Sequence, residues 1–240
     1  MNFKKTVTIV IAWVISMTML TPAFSEKWLF VDLKPYANAK IINTQWWTGS
    51  PGGSDLEGAI DAAAKGQKFK GPGGEEVSFN VENANLRLFG TNAGPNPKKI
   101  SGMKVGATAK LIYFLHMTGW EDNGQPSYKF VMNYQDRSTQ ELEIQSGINS
   151  DDWCHVPAQL KDKNSAWAWQ ETGVTCGNVG LIATKWENPT PQKRIESIDF
   201  VSLETPAVPG LFAITLGDAS LAVDSVGKLT TTWATIKEGR

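Results

Sequence analysis

Trp120 precedes Glu121, Asp122 and Asn123, Trp153 follows Asn149 and Asp151, and Trp167 and Trp169 precede Gln170. Each group sets a flat apolar indole beside carboxylates or amides. That pairing suits a partner with an apolar face and a polar rim, which stacks on the ring and bonds to its neighbours. A sugar ring has this character through its C–H faces and hydroxyls. The predicted ligand contacts are therefore Trp120, Asp122, Asn123, Asn149, Asp151, Trp153, Trp167, Trp169 and Gln170. Each indole also has a core reading, since tryptophan is highly buried on average. Trp167 and Trp169, two residues apart, are expected to share one strand face. Trp46 and Trp47 point opposite ways if extended, so at most one of them is open to a ligand.

Catalytic constellations are harder to assemble. The two histidines are His116, inside an apolar run, and His155, beside Asp151 and Asp152. The first reads as a hydrogen-bonded core histidine and the second as an exposed loop residue. Adjacent carboxylates on a strand face opposite ways, so Asp151 and Asp152 do not make a glycosidase pair. They suit a turn, or a structural Ca²⁺ site helped by Asn149, although one loop offers fewer oxygens than the six to eight that Ca²⁺ takes. Gly71-Pro72-Gly73-Gly74 is turn chemistry, because proline removes an amide that an anion would need. No nucleophile elbow, zinc-protease or phosphate-loop motif occurs. No catalytic residue and no cofactor is therefore predicted.

Composition narrows the classes further. The 240 residues carry 23 Lys+Arg against 24 Asp+Glu and are 41% hydrophobic, which fits a globular protein and disfavours nucleic-acid binding through bulk charge. Ten tryptophans stand against only four tyrosines. The start Met1-Asn2-Phe3-Lys4-Lys5, the apolar run from Thr6 to Leu20 and small residues at Ala23 and Ser25 predict a secretory signal peptide over 1–25, cut before Glu26. That run is short for a membrane span, and no later stretch is long enough for one. In an oxidising compartment Cys154 and Cys176 are expected to pair, closing a loop worth about 3 kcal/mol in the chain-entropy model.

The elements that must carry these residues read as β-structure. Tyr128, Phe130, Met132 and Tyr134 alternate with polar residues, and Glu141 to Gln145 does the same after a turn at 136–139, predicting a hairpin. Further strands are predicted at 29–33, 77–81, 86–89, 110–117, 179–186, 195–203 and 211–216. The run Lys110 to Met117 is nearly all apolar and belongs in a sheet covered on both sides. Leu56 to Lys65 alone looks helical. The expected fold is an all-β antiparallel sandwich of jelly-roll type over 26–216, with 217–240 as a C-terminal tail that suits an extra strand, a docking segment or a frayed end.

Several segments in order carry a family resemblance: Phe30 to Asn38, Lys65 to Phe69, Ile100 to Gly106 leading into Leu111 to Trp120, Gly147 to Trp153, Trp186 to Pro191, Ile195 to Phe200 and Phe212 to Leu216. Across roughly 28–216 their order and spacing resemble the galactose-binding-like β-sandwich domains, related to carbohydrate-binding modules attached to bacterial glycoside hydrolases. The chain departs from that pattern at Gly71 to Glu76 and in the stretch between Cys154 and Cys176. By analogy the resemblance implies a polysaccharide or glycan as partner, with a separately encoded enzyme or surface protein beside it. Three function classes follow: a secreted non-catalytic carbohydrate-binding module, a cell-surface adhesion module that contacts protein, and, if distant carboxylates converge, a glycan-cleaving enzyme.

Overall fold

The computed structural model describes residues 28–50, 55–173 and 175–221. The expected signal peptide, and the tail beyond Leu221, lie outside the described residues. In chain order the elements are β1 (Leu29–Phe30), α1 (Glu57–Ala64), β2 (Phe69–Lys70), β3 (Glu76–Val77), β4 (Leu86–Arg87), β5 (Lys99–Thr108), β6 (Leu111–Gly119), β7 (Tyr128–Tyr134), β8 (Thr139–Ile144), β9 (Ser165–Gly173), β10 (Gly177–Glu187), β11 (Ile195–Ser202), β12 (Val208–Gly217) and β13 (Ser220–Leu221). One sheet runs β1-β12-β6-β10-β9, with β4 also on β12; the other runs β13-β5-β11-β7-β8. All pairings between these strands are antiparallel.

The connectivity is that of a jelly roll. Counting β1, β5, β6, β7, β8, β10, β11 and β12 from one to eight, the sheets read 1-8-3-6 and 2-7-4-5. β9 is an additional edge strand hairpinned onto β10. The hairpin expected from alternation is β7 with β8, closed by Arg137 at φ 68°.

Between the sheets Phe114 of β6 stacks on Phe130 of β7 at 4.0 Å, and Phe130 on Phe200 of β11 at 5.2 Å. This seam buries Ile112, Met132, Ile198 and Ile214 as well. A second apolar layer covers the other face of the first sheet. There Tyr113, Leu115 and Met117 of β6 meet Trp46, Ala59 and Ala62 of α1, Phe69, Phe79 and Phe212. β6 is thus buried on both faces, which is why its sequence reads as a continuous apolar run. Glu75 reinforces that outer layer by accepting from Tyr113 Oη at 3.1 Å and lying 3.6 Å from Lys185 Nζ.

Several elements differ from the sequence reading. Val77, Phe79 and Val81 point inward in alternation as expected, yet only Val77 is in a strand; the rest is an extended cover over the sheet, tied by Thr215 Oγ1 donating to Ser78 O at 2.8 Å. β5 escaped detection because two register shifts against β11 accompany Gly102 and Gly106, at φ 73° and 66°, and the bulges scramble its alternation. A bulge between Leu181 and Ile182 also corrects the expectation that Trp167 and Trp169 share a face. Trp167 packs with Val156 and Ile182, while Trp169 packs on the α1 side. Finally, Gly217 belongs to β12, and Ser220 and Leu221 pair with Thr108 and Ala107, so the first residues of the expected tail extend the second sheet.

Candidate ligand-binding cleft

At one end of the sandwich β6 and β10 part company. Their pairing ends at His116 with Ile182, and the segment Asp151 to Trp153 inserts between them. Thr118 N–H donates to Asp151 O at 3.2 Å, Trp153 N–H to Thr118 O at 2.9 Å and Gly180 N–H to Trp153 O at 3.1 Å. The inserted backbone is therefore satisfied as a strand would be, and Trp153 is carried to the sheet end.

Four indoles assemble there. Trp46 is fully buried; it lies 6.4 Å from Trp153 and 5.9 Å from Phe212, which a bulge in β12 turns toward it. It beds against Gly210, where a Cβ would come within 2.7 Å of its ring. Above it Trp47 is half-buried, 4.9 Å from Trp153, and it meets Trp120 edge-on at 6.4 Å. Trp120 is the outermost, 39% exposed. Its backbone is left-handed at φ 64°, an unusual state for an aromatic residue that surrounding contacts must hold. Asp152 supplies one such contact, its Oδ2 accepting the Trp120 N–H at 2.5 Å.

Trp47, Trp120 and Trp153 line a cleft of about 220 Å³ together with Gly119, Asp152, Cys154, His155 and Thr175. A neighbouring hollow of about 320 Å³ shares Trp120, Asp152 and His155 and adds Asn92, Glu121, Asn123 and Pro206. Trp120 is thus a common wall with space on either side. The disulfide Cys154–Cys176, with Cα atoms 5.4 Å apart, ties the cleft wall to the start of β10.

The polar residues expected to contact ligand divide into two groups. Asn123 is exposed and lines the outer hollow. Asp122 is 1% exposed, with Oδ1 accepting from Gly124 N–H and Oδ2 from Ser146 N–H. Asn149 accepts from Gln145 N–H and donates to Glu143 O, both at 2.8 Å. Asp151 Oδ1 accepts from Asp152 N–H at 2.7 Å and lies 3.0 Å from His155 Nδ1. These three hold the loops that carry the cleft. Trp167 is buried, its Nε1 donating to Ala158 O at 2.8 Å. Trp169 covers Gly58, and Gln170 lines a separate groove with Glu171 and Thr172. Neither the Trp167 and Trp169 pair nor Gln170 joins the cleft around Trp120.

The cleft adds residues that sequence reasoning did not select: Trp47, Glu121, Asp152, His155 and Thr175. The signal for Trp47 was the Trp46-Trp47 doublet, whose two faces the sequence could distinguish but not orient. The His155 ring is exposed, and burial works against its charge. The hydrogen bond with Asp151 and the charges of Asp152, Asp151 and Glu121 outweigh that and raise its pKa above the ordinary histidine value.

The side-chain oxygens of Asn149, Asp151 and Asp152 engage backbone donors. Both Asp152 oxygens accept backbone N–H groups, from Trp120 and from Cys154 at 2.8 Å, and the Asn149 oxygen is occupied as described. Among the described residues no group of three or more His, Cys, Asp or Glu side chains is placed to hold a metal. No helix among them is long and apolar enough to cross a membrane.

Compared with known protein families, curated proteins and solved structures, the chain matches none.

Proposed function

We propose that this chain is a secreted, non-catalytic carbohydrate-binding module of the galactose-binding-like class, and that a sugar ring stacks on Trp120 in the cleft it shares with Trp47. The observation that carries this reading is the exposed Trp120 indole, held in a left-handed backbone state at the rim of a cleft lined by hydrogen-bonding side chains. Stacking supplies contact area, and Asn92, Asn123, Asp152, His155 and Thr175 offer groups to sugar hydroxyls. A non-catalytic reading is supported by Asp152, the carboxylate that lines both the cleft and the outer hollow. Both of its oxygens accept backbone N–H groups, from Trp120 and from Cys154, so it serves to hold the loops that frame the cleft. The disulfide and the basic-apolar start of the chain support export.

Tryptophan fluorescence during titration with soluble polysaccharides tests the proposal. A saturable shift that Trp120→Ala abolishes is the expected result. Silence toward every glycan, together with saturable binding of a cell-surface protein, would replace this reading with the adhesion module. Release of reducing sugar would make the chain an enzyme.

A further inference from the structure

We infer that the cleft selects a saccharide bearing free ammonium groups, an amino sugar in its deacetylated form, over neutral and acidic sugars. This rests on the carbohydrate reading above and concerns the charge of the ligand.

The inference comes from two features of the same wall. The first is aromatic. Trp47 and Trp120 meet at right angles, with Trp153 tilted beneath Trp47, so the cleft offers more than one indole face or edge to a group entering it. A cation over an indole face is attracted by the ring quadrupole, and the attraction grows when the site is partly shielded from water. The second is electrostatic. Asp152 lines both the cleft and its outer hollow, Glu121 lines the outer hollow, Asp151 lies behind them against His155, and Asp55 accepts the N–H of Thr175 on the far wall at 2.6 Å. Among the described residues no lysine or arginine lines either space. Among the described residues His155 is the one lining group able to become cationic. Protonated or neutral, it is outnumbered by Asp151, Asp152 and Glu121, so the cleft stays negative through the histidine titration.

These features act in the same direction. A carboxylate-bearing sugar would bring its charge against Glu121 and Asp152, with protonated His155 alone to offset them. A hydroxyl-only sugar would stack but gain nothing from the field. An ammonium group on the stacked ring would meet both the indole faces and the carboxylates. Protonation of His155 reduces the field without reversing it, so the preference is predicted to weaken toward acid and persist.

The test compares three oligosaccharides of equal length near pH 6: a β-1,4-linked glucosamine oligomer, its fully N-acetylated counterpart and an oligogalacturonate. Binding is followed by tryptophan fluorescence. The free-amine oligomer is expected to bind about tenfold more tightly than the acetylated one, with the uronate weakest. Raising salt from about 20 to about 300 mM should narrow the gap, because a partly exposed charge is screened. Glu121→Gln, a change at an exposed position, should lower free-amine affinity more than acetylated affinity. Equal binding of the amine and acetylated oligomers, or tighter binding of the uronate, would overturn the charge inference while leaving the carbohydrate reading intact. Silence from all three overturns the charge inference, and silence from every polysaccharide of the wider panel removes the carbohydrate reading as well.

Discussion

Asp152 holds Trp120 by its backbone. The carboxylate accepts the Trp120 N–H at 2.5 Å through one oxygen and the Cys154 N–H at 2.8 Å through the other, joining the end of β6 to the disulfide-bearing loop. Charge-assisted bonds of this kind are stronger than neutral ones. They offset the cost of keeping a tryptophan at φ 64°, about 1–3 kcal/mol for a non-glycine residue in a sparsely populated region. Asp152→Ala is therefore expected to lower stability by about 1–3 kcal/mol and to weaken ligand binding although every indole remains. Urea unfolding and a fluorescence titration measure the two effects. Unchanged affinity would mean that Trp120 needs no such anchor.

Trp120 and Trp46 belong to one aromatic cluster and should nevertheless respond differently to truncation. Trp120→Ala removes an indole already open to water and should change stability by less than about 1 kcal/mol while abolishing glycan binding. Trp46→Ala empties a fully buried site and should cost about 3–5 kcal/mol. Gly210→Ala probes the same site from below. Its new methyl would lie 2.7 Å from the Trp46 ring, an overpacking expected to cost about 1–3 kcal/mol. Thermal melts of the three variants check the order. A large loss in Trp120→Ala would make that residue part of the core.

This contrast marks how far the sequence was legible. Strand periodicity found β6, β7, β8, β10 and β12, because each alternates or is largely buried on both faces, and β11 through an apolar run of mixed pattern. It failed at β5 and at the Trp167 and Trp169 pair, where an inserted residue breaks the two-residue period on which the reading depends. At the site, Trp120 was legible as an indole in a polar loop. The tasks of Asp122, Asn149 and Asp151 were not, since a carboxylate that binds backbone N–H groups has the same letter as one that binds ligand. Trp47 joins the cleft through tertiary contacts with Trp120 and Trp153, the latter more than one hundred positions along the chain.

Acid should unfold the protein through His116. Its Nε2 lies 2.8 Å from Thr184 Oγ1, and Thr184 Oγ1 donates to Asn149 O at 3.0 Å, so Nε2 is the donor and Nδ1 accepts from Tyr128 Oη. Burial pushes the imidazole down to about 3. The unfolded chain takes up this proton near pH 6.5 and the folded chain resists it until about 3, so the contribution is fully present above 6.5 and is lost as pH falls between those values. The expected slope approaches 1.4 kcal/mol per pH unit, an order-of-magnitude figure. His155 acts in the opposite sense, with its contribution lost as pH rises, and its exposure keeps that small. Urea midpoints from pH 7 to pH 4 should fall steeply in the native protein and less in His116→Gln. Equal slopes would assign acid sensitivity to other groups.

The disulfide should matter to binding as well as to stability. Cys154 lines the cleft, its N–H is one of the two donors to Asp152, and its partner Cys176 lies at the start of β10 beside Thr175 on the opposite wall. Opening the bond restores chain freedom to the unfolded state, worth about 3 kcal/mol for a loop of this length. It also frees the two walls to move apart, which loosens the hold of Asp152 on Trp120. A Cys154→Ser, Cys176→Ser double variant is therefore expected to unfold at lower urea and to bind glycan several-fold more weakly at a temperature where it remains folded. The two effects separate by experiment: adding glycan should stabilise the native protein more than the variant at equal ligand concentration. Equal stabilisation would show that the bridge supports the fold alone and that the cleft keeps its shape without it.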